Sequence, residues 1–138
     1  MATFMSMVMA TRTDATSAPA FDARLFMQLM QRERVAPLAD LPQRWLLLEA
    51  AHVLGQTRLR PHLVTHARML ALAWETRDGR EVLGQLLRLL LVPLGHLTGR
   101  LPLGNAGRSN ISAFQVMPIR EDIAALIEQV AQAVDGTR

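Results

Sequence analysis

The chain has 138 residues, half of them apolar and 20% charged, which suits one folded core and leaves no room for a second domain. Only 4% are aromatic and the net charge of +3 comes from arginines without a single lysine, so neither base stacking nor a strongly basic surface indicates nucleic-acid binding. The absence of cysteine excludes disulfides, thiolate metal sites and cysteine nucleophiles.

The chain begins with a segment that lacks a sustained hydrophobic period. Residues 1–20 contain Pro19 and are predicted to form a flexible N-terminal extension. Its first ten residues are apolar but have no preceding basic region, so a signal peptide is not predicted. From residue 21 onward apolar residues recur at helical spacing without a competing strand pattern. Residues 21–138 are therefore predicted to form a single helical domain.

Two helices are predicted at the start of this domain. Leu25 and Leu29 lie on one face of the first helix, which ends before Pro37. Asp40 is a typical N-cap of the second helix, because its carboxylate can accept hydrogen bonds from amides of the first turn. Gly55 marks the end of this second helix.

Two further helices occupy the middle of the chain. Pro61 is expected to open the third helix, because proline is favoured in the first helical turn. The fourth helix begins near Arg80, and Pro93 is predicted to kink or end it. The apolar run at residues 86–97 contains Arg88 and is shorter than the ~20 residues that a bilayer span requires. We therefore interpret this run as part of a core helix.

Residues 99–118 form the longest internal loop and are rich in glycine, proline, asparagine and serine. Loops of this length are usually functional or disordered. Pro118 is expected to open the last helix, whose apolar stripe includes Ile123 and Val130. Short connections between the helices predict antiparallel hairpins, with tetratricopeptide-like packing as one arrangement. The predicted fold is an all-α bundle of about five helices.

Four ligand-type side chains recur at helical spacing on the second and third helices. Glu49 and His52 share one helical face, and so do His62 and His66. His52 and His66 each stand about four or five residues from the connecting turn, which predicts the same height across the hairpin. Two histidines four residues apart can offer their imidazoles to one metal ion. We therefore predict a metal site of Glu49, His52, His62 and His66, with His96 as a further candidate.

The metals that suit this set are zinc, copper, nickel and iron. A di-iron site would need more carboxylates, and only Glu75 and Glu81 are available, both predicted near the opposite end of the hairpin. A mononuclear site is therefore favoured. In the alternative interpretation His52 and His66 are hydrogen-bonded histidines at the edge of the core, and His62 simply lies at the start of its helix.

A second group of basic and amide residues falls in the turns and the long loop. Because the third helix presents its N-terminus at the same end, an anion would be favoured there. The alternative is that these arginines are separate and solvated. Arg77, Arg80 and Arg88 are interpreted as surface partners of Asp78 and Glu81, with little effect on stability. The predicted anion-binding or loop residues are Arg58, Arg60, Arg100, Asn105, Arg108 and Asn110.

Several short motifs occur in an order that is more specific than any one of them. They are Ala51-His52-Val53-Leu54-Gly55-Gln56, His62-x-x-x-His66 with Met69-Leu70, Arg80-Glu81-x-x-Gly84-Gln85, Gly104-Asn105-x-Gly107-x-x-Asn110 and Met117-Pro118-Ile119. Over roughly residues 21–130 they resemble the bacterial domain-of-unknown-function family 3703. The resemblance implies a small helical protein and supplies no activity. Arg108 departs from the pattern of this family, in which we expect a small residue at that position.

The sequence contains no hydrolase, Ser-His-Asp or nucleotide-binding motif. It therefore favours a non-catalytic binding or accessory protein of the cytoplasm, whose partner is another protein or a second copy of itself. Nucleic acid and membrane are not favoured as partners. The alternative is a metal-binding protein or metalloenzyme built on the histidines, with the loop at residues 99–118 as a lid.

Overall fold

The computed structural model describes residues 18–136, so residues 1–17 of the predicted extension lie outside the described residues. Within this segment the chain forms helices, turns and loops, and no residue of it is in a β-strand. The all-α prediction is confirmed, whereas tetratricopeptide-like packing stays a prediction. The helices are α1 (Ala23–Val35), α2 (Leu41–Gly55), α3 (Leu59–Glu75), α4 (Gly79–Thr98) and α5 (Glu121–Asp135).

Aspartates begin three of these helices. Asp22, Asp40 and Asp78 are the N-caps of α1, α2 and α4, and each carboxylate accepts a hydrogen bond from a backbone amide of the first turn. Each such cap stabilises a helix by about 1 kcal/mol relative to alanine. The prediction for Asp40 is confirmed, and Asp78 explains why α4 follows so closely after the turn.

Two helix starts differ from their predictions. α3 begins at Leu59, so Pro61 lies inside its first turn, where a missing amide costs nothing. α5 begins at Glu121, three residues after Pro118. The reason is that the amide of Met117 still donates to a carbonyl of the long loop, which keeps this stretch outside the helix.

α4 continues through Pro93 to Thr98 and does not end at the proline. Pro93 lies on the solvent side of the helix, where water can solvate the carbonyl that has lost its amide donor. The helix ends at Gly99, which has a φ of 68° and can adopt this left-handed conformation because it has no side chain.

The hydrophobic core lies between α1, α2, α3 and α5. α2 contacts the other three helices and is buried on nearly all sides, which accounts for its almost continuous apolar sequence. Of the stripe predicted for α5, Ile123, Leu126 and Val130 are buried in this core. Other fully buried residues of the core are Leu29, Leu48, Met69 and Leu72.

α4 buries its polar side and exposes its leucines, which is the opposite of an ordinary surface helix. Its buried residues are Glu81, Gln85, Arg88 and Val92. The interpretation of residues 86–97 as a core helix is therefore wrong, and so is the surface placement of Glu81 and Arg88. The leucines of α4 that lie exposed are Leu83, Leu86, Leu87, Leu90, Leu94 and Leu97.

Across residues 18–136, no helix combines the length and the apolar character that crossing a membrane would take.

Candidate metal centre

Three imidazoles meet where α2 packs against α3. The Nε2 atom of His52 lies 3.0 Å from Nε2 of His62 and 3.1 Å from Nε2 of His66. All three histidines are buried, with at most 2% of their surface exposed. The one-turn spacing in α3 and the height match across the hairpin thus bring together the three histidines that the sequence singled out.

Hydrogen bonds on the outer side of two rings determine where their protons lie. Nδ1 of His52 is 2.9 Å from the carbonyl oxygen of Asn105, which can only accept, so this nitrogen carries the proton. Nδ1 of His66 is 2.7 Å from Oε1 of Gln85, whose amide nitrogen donates to a carboxylate and a backbone carbonyl. Oε1 therefore accepts from His66. In both neutral imidazoles Nε2 has no proton, and its lone pair points toward the other ring.

Two lone pairs 3.1 Å apart repel each other unless a cation lies between them. A proton could be this cation only if it made one imidazole positively charged. Burial of the rings disfavours a charged imidazole. Burial is the largest cause in each ring: with the neighbouring imidazoles it lowers the pKa of His52 well below 6.5 and that of His62 to about 3. Burial likewise lowers the pKa of His66 to about 4. At neutral pH all three imidazoles are uncharged, and Nε2 of His52 and of His66 is an acceptor.

The nitrogen positions fit a single metal ion. A tetrahedral zinc ion with ordinary zinc–nitrogen bonds holds its ligand nitrogens about 3.3 Å apart. The two distances from His52 are close to this value, and the three ligand atoms lie within 4.8 Å of one another. Small rotations of the rings would therefore bring all three nitrogens into bonding distance of one ion.

Each imidazole also has a separate partner for its second nitrogen. Metal-bound histidines usually donate this second N–H to a carbonyl, carboxylate or similar acceptor, which fixes the orientation of the ring. His96, which the sequence offered as a further ligand, fills this outer position at 3.1 Å from Nδ1 of His62. The three pairs are His52 with the Asn105 carbonyl, His66 with the Gln85 amide and His62 with the His96 ring.

Buried polar side chains of α4 hold the long loop against the site. The carboxylate of Glu81 accepts hydrogen bonds from the amide and hydroxyl of Ser109, at 3.1 and 2.6 Å. Arg88 donates to the backbone carbonyls of Arg108 and Ile111. The loop thus forms a wall of the site, and its role as a lid stays a prediction.

Gly107 brings the backbone of this loop onto the ring of His52. Its φ of 82° is unfavourable for other residues, and a Cβ atom there would lie 2.9–3.0 Å from the imidazole. Its amide donates to the side chain of Asn105, whose own carbonyl accepts from His52. The residue type at position 107 therefore controls how closely the loop supports this ring.

The three histidines line a cavity of about 250 Å³ between α3, α4 and the long loop. Arg88 and Arg100 also border it, so two cationic side chains lie beside the three imidazoles, together with the polar residues Thr98 and Asn105. A metal ion held by the histidines would face a space that can hold a small molecule. The remaining wall is mostly apolar and includes Leu91, Val92, Leu94, Leu101, Pro102 and Phe114.

Glu49, the predicted fourth ligand, has other partners. Its carboxylate forms ion pairs with Arg108 at 3.3 Å and Arg120 at 2.9 Å. Burial raises the pKa of Glu49, and the two arginines oppose this shift. Glu49 is not part of the cluster that the three histidines form, and its assignment as a ligand stays a prediction.

The predicted basic group lies in several different environments. Arg108 pairs with Glu49 and Glu81, and its guanidinium lies 3.7 Å from the centre of the Trp45 ring. Its charge is therefore already balanced, while Arg100 borders the histidine cavity. Anion binding by the group stays a prediction. Of the others, Asn105 is buried beside His52, Arg58 lies 6.0 Å from the Phe21 ring centre, and Arg60 and Asn110 are exposed.

α4 contributes buried polar residues to the site that were not predicted from the sequence. The sequence predicts Glu81 and Arg88 at the surface and gives Gln85 no role, whereas the structure buries all three. A signal for them exists: with His96 they recur at helical spacing on one side of a helix that is otherwise mostly leucine. In this helix the side that carries the polar residues is the buried one.

Gln56 is a further buried polar residue near the cluster. It follows His52 by four residues, one helical turn later on the same side of the chain, and it is fully buried. Neither atom of its amide has a hydrogen-bond partner among residues 18–136. A buried amide of this kind usually has a water molecule or a ligand as its partner.

Comparison with known proteins identifies a family for this chain. Residues 22–127 match the model of the family described as protein of unknown function DUF3703, and the matched segment includes the three histidines and their three outer partners. No curated protein and no solved structure gives a significant match. The match confirms the resemblance seen in the motifs. Because it covers most of the chain, this chain belongs to the DUF3703 family.

Proposed function

We propose that this protein binds one transition-metal ion, with zinc as the best fit, through Nε2 of His52, His62 and His66. The observation that carries this proposal is the convergence of buried ring nitrogens, two of which have no proton. Imidazole nitrogens are ordinary zinc ligands, and no thiolate is available in this chain. Copper, nickel and iron also accept such ligands and are compared in the test.

The number of ligands supports more than a structural role for the metal. Three protein ligands leave one position of a tetrahedral ion open, which is typical of catalytic and ligand-binding sites. Neutral imidazoles leave both positive charges of the ion uncompensated, so an anionic fourth ligand such as hydroxide is favoured. The adjacent cavity, bordered by Arg88 and Arg100, supports a small anionic ligand at this position.

A non-catalytic binding or accessory role is the second candidate function. It is supported by the exposed leucines of α4, which leave a helix face without a partner among residues 18–136. The two functions are compatible, because Leu94 is the one exposed leucine of α4 that also borders the histidine cavity.

The metal content of the untagged protein tests the proposal. We expect one equivalent of metal per chain after loading, measured by mass spectrometry, and a cobalt-substituted form with the strong visible absorption of a tetrahedral site. His62→Gln and His66→Gln should each weaken binding by at least about 100-fold, because each removes one ligand.

His96→Gln is the matched control, since it changes a histidine that contacts the cluster from outside. It should weaken binding by about tenfold, at the low end for an outer partner, because the glutamine oxygen can still accept the proton on Nδ1 of His62. Folded wild-type protein that cannot be loaded with zinc, copper, nickel or iron would overturn the proposal. Circular dichroism of every variant separates loss of a ligand from loss of the fold.

A further inference from the structure

α4 presents a continuous stripe of leucines to solvent. Leu83, Leu87, Leu90, Leu94 and Leu97 follow one another at alternating intervals of four and three residues. This is the heptad spacing of helices that pack side by side. Each of the five is 52–85% exposed. The stripe therefore has the pattern of a helix–helix contact, without a second helix among residues 18–136 that covers it.

Two neighbouring side chains widen this stripe. Leu86 of α4 and Trp74 of α3 are 45% and 74% exposed, and both border a groove between the two helices. We name the whole set the leucine surface: Leu83, Leu86, Leu87, Leu90, Leu94, Leu97 and Trp74. Together these side chains expose on the order of 800 Å², which is what one partner buries in a standard protein interface. The largest apolar patch of a typical monomer is smaller, at roughly 300–600 Å².

We propose that the leucine surface is the interface between two copies of this chain, which pair α4 against α4 about a two-fold axis. A two-fold interface places one patch opposite itself, so a charged patch would repel its own copy. The outward positions of α4 from Leu83 to Leu97 carry only leucine and proline. The one charged residue between them, Arg88, is buried on the opposite side of the helix.

The spacing of the leucines around Leu90 indicates how two copies of α4 would pair. Leu90 is seven residues from both Leu83 and Leu97. If the two helices run antiparallel, the two-fold axis passes near Leu90, which then lies beside Leu90 of the second copy. Leu83 then lies opposite Leu97 at both ends, and every leucine of the stripe is covered.

A lipid surface is the less suitable occupant. Helices that lie on membranes usually carry basic residues along a polar face that contacts the headgroups. The polar side of α4, with Glu81, Gln85 and Arg88, is instead buried inside the protein and holds the long loop. A second copy therefore matches this surface better than a membrane.

The molecular mass of the full-length chain in solution tests the proposal. Light scattering after gel filtration should give twice the chain mass for the wild type and a single chain mass for Leu90→Glu, because two carboxylates would meet at the axis. Met27→Glu, at a residue of α1 that is 69% exposed and outside the leucine surface, is the matched control and should remain a dimer. A wild type that stays monomeric at its highest soluble concentration overturns the proposal, and so does a dimer that survives Leu90→Glu.

Cross-linking and vesicle binding separate the occupants. Because the chain has no cysteine, Leu90→Cys introduces a single thiol, and mild oxidation should join two chains through it. Met27→Cys should stay unlinked; linkage at Met27→Cys without linkage at Leu90→Cys would place the interface elsewhere and overturn the proposal. Monomeric wild type that cosediments with phosphatidylcholine vesicles would assign the leucine surface to lipid and also overturn it.

Discussion

The protein contains two buried polar clusters that differ in how their groups are paired. In the first, the fully buried carboxylate of Glu33 accepts hydrogen bonds from Arg44 at 2.5 and 3.0 Å and from Arg68 at 2.8 Å. Its negative charge faces positive charge on two sides. In the second, the ring nitrogens of His52, His62 and His66 face one another, and those of His52 and His66 carry no proton there.

This difference supports a structural role for the Glu33 cluster and the proposed binding role for the histidine cluster. The Glu33 cluster joins α1, α2 and α3, and its charges compensate one another within the protein. The histidine cluster is held as firmly by its outer partners but directs acceptors to a common centre. Because the unprotonated Nε2 atoms of His52 and His66 face each other and not a donor, this arrangement supports the proposed metal ion, whereas the Glu33 cluster is complete without a ligand.

Acidification should have the largest effect, and it should act on the histidine cluster. The unfolded chain takes up protons on these histidines below about pH 6.5, whereas folding lowers the pKa of His62 to about 3 and of His66 to about 4. The contribution of these histidines to stability is therefore fully present above pH 6.5, and it is lost as the pH falls toward 4. We expect a loss on the order of 2 kcal/mol for each of His62 and His66 at pH 5, and a further loss from His52, whose pKa burial also lowers.

Thermal unfolding with a chelator present, at pH 7 and pH 5, measures this loss. The double variant His62→Gln/His66→Gln should depend less on pH over the same range, because two of the groups are gone. Equal slopes for this variant and the wild type would contradict the assignment of the loss to the cluster.

Glu33→Gln should break the compensated cluster. It removes the carboxylate that faces Arg44, whose side chain is only 7% exposed, and leaves this guanidinium buried without its main partner. We expect a loss of about 3–5 kcal/mol and a melting temperature lower by roughly 10 °C. Metal content should not change, because the variant leaves the three histidines intact.

Glu121→Gln, at an exposed position of α5, is the control for this substitution and should change the melting temperature by less than about 2 °C. A Glu33→Gln protein as stable as this control would show that the two arginines find other partners.

Gln85→Leu should weaken the histidine cluster without removing a ligand. The leucine cannot accept the proton on Nδ1 of His66, so the ring loses its fixed orientation. We expect metal affinity to fall about 10- to 100-fold in competition with a chromogenic chelator. Gln132→Leu on the exposed side of α5 is the comparison, and equal affinities of the two variants would argue against Gln85 as a positioning residue.

Gly107→Ala should have the smallest effect of the four. The new Cβ atom would lie within 3.0 Å of the His52 ring at a φ of 82°, so the loop must move away. We expect a loss of about 1–2 kcal/mol, measured by chemical denaturation, and a small loss of metal affinity. Gly79→Ala is the matched control, because a Cβ atom there would meet nothing within 4 Å. Greater tolerance at position 107 than at position 79 would contradict the close contact with His52.

The helices could be predicted because their signals are local. Asp40, the predicted N-cap of α2, accepts from the amide of the residue three positions later, and the spacing of His62 and His66 places both on one face of α3. The meeting of these histidines with His52 also followed, because a short turn between two helices fixes the height at which their residues face each other.

The sequence by itself thus determined the all-α fold, the cap of α2 and the three histidines, since these depend on contacts a few residues apart. Only the tertiary structure decided which side of α4 is buried, because hydrophobicity favours burial of the leucine-rich side, whereas the polar stripe packs inward. It also paired Glu49 with Arg108 and Arg120 and brought Asn105 to His52, across 53 residues of chain in the latter case. Such contacts have no local signal, because they depend on where the long loop packs.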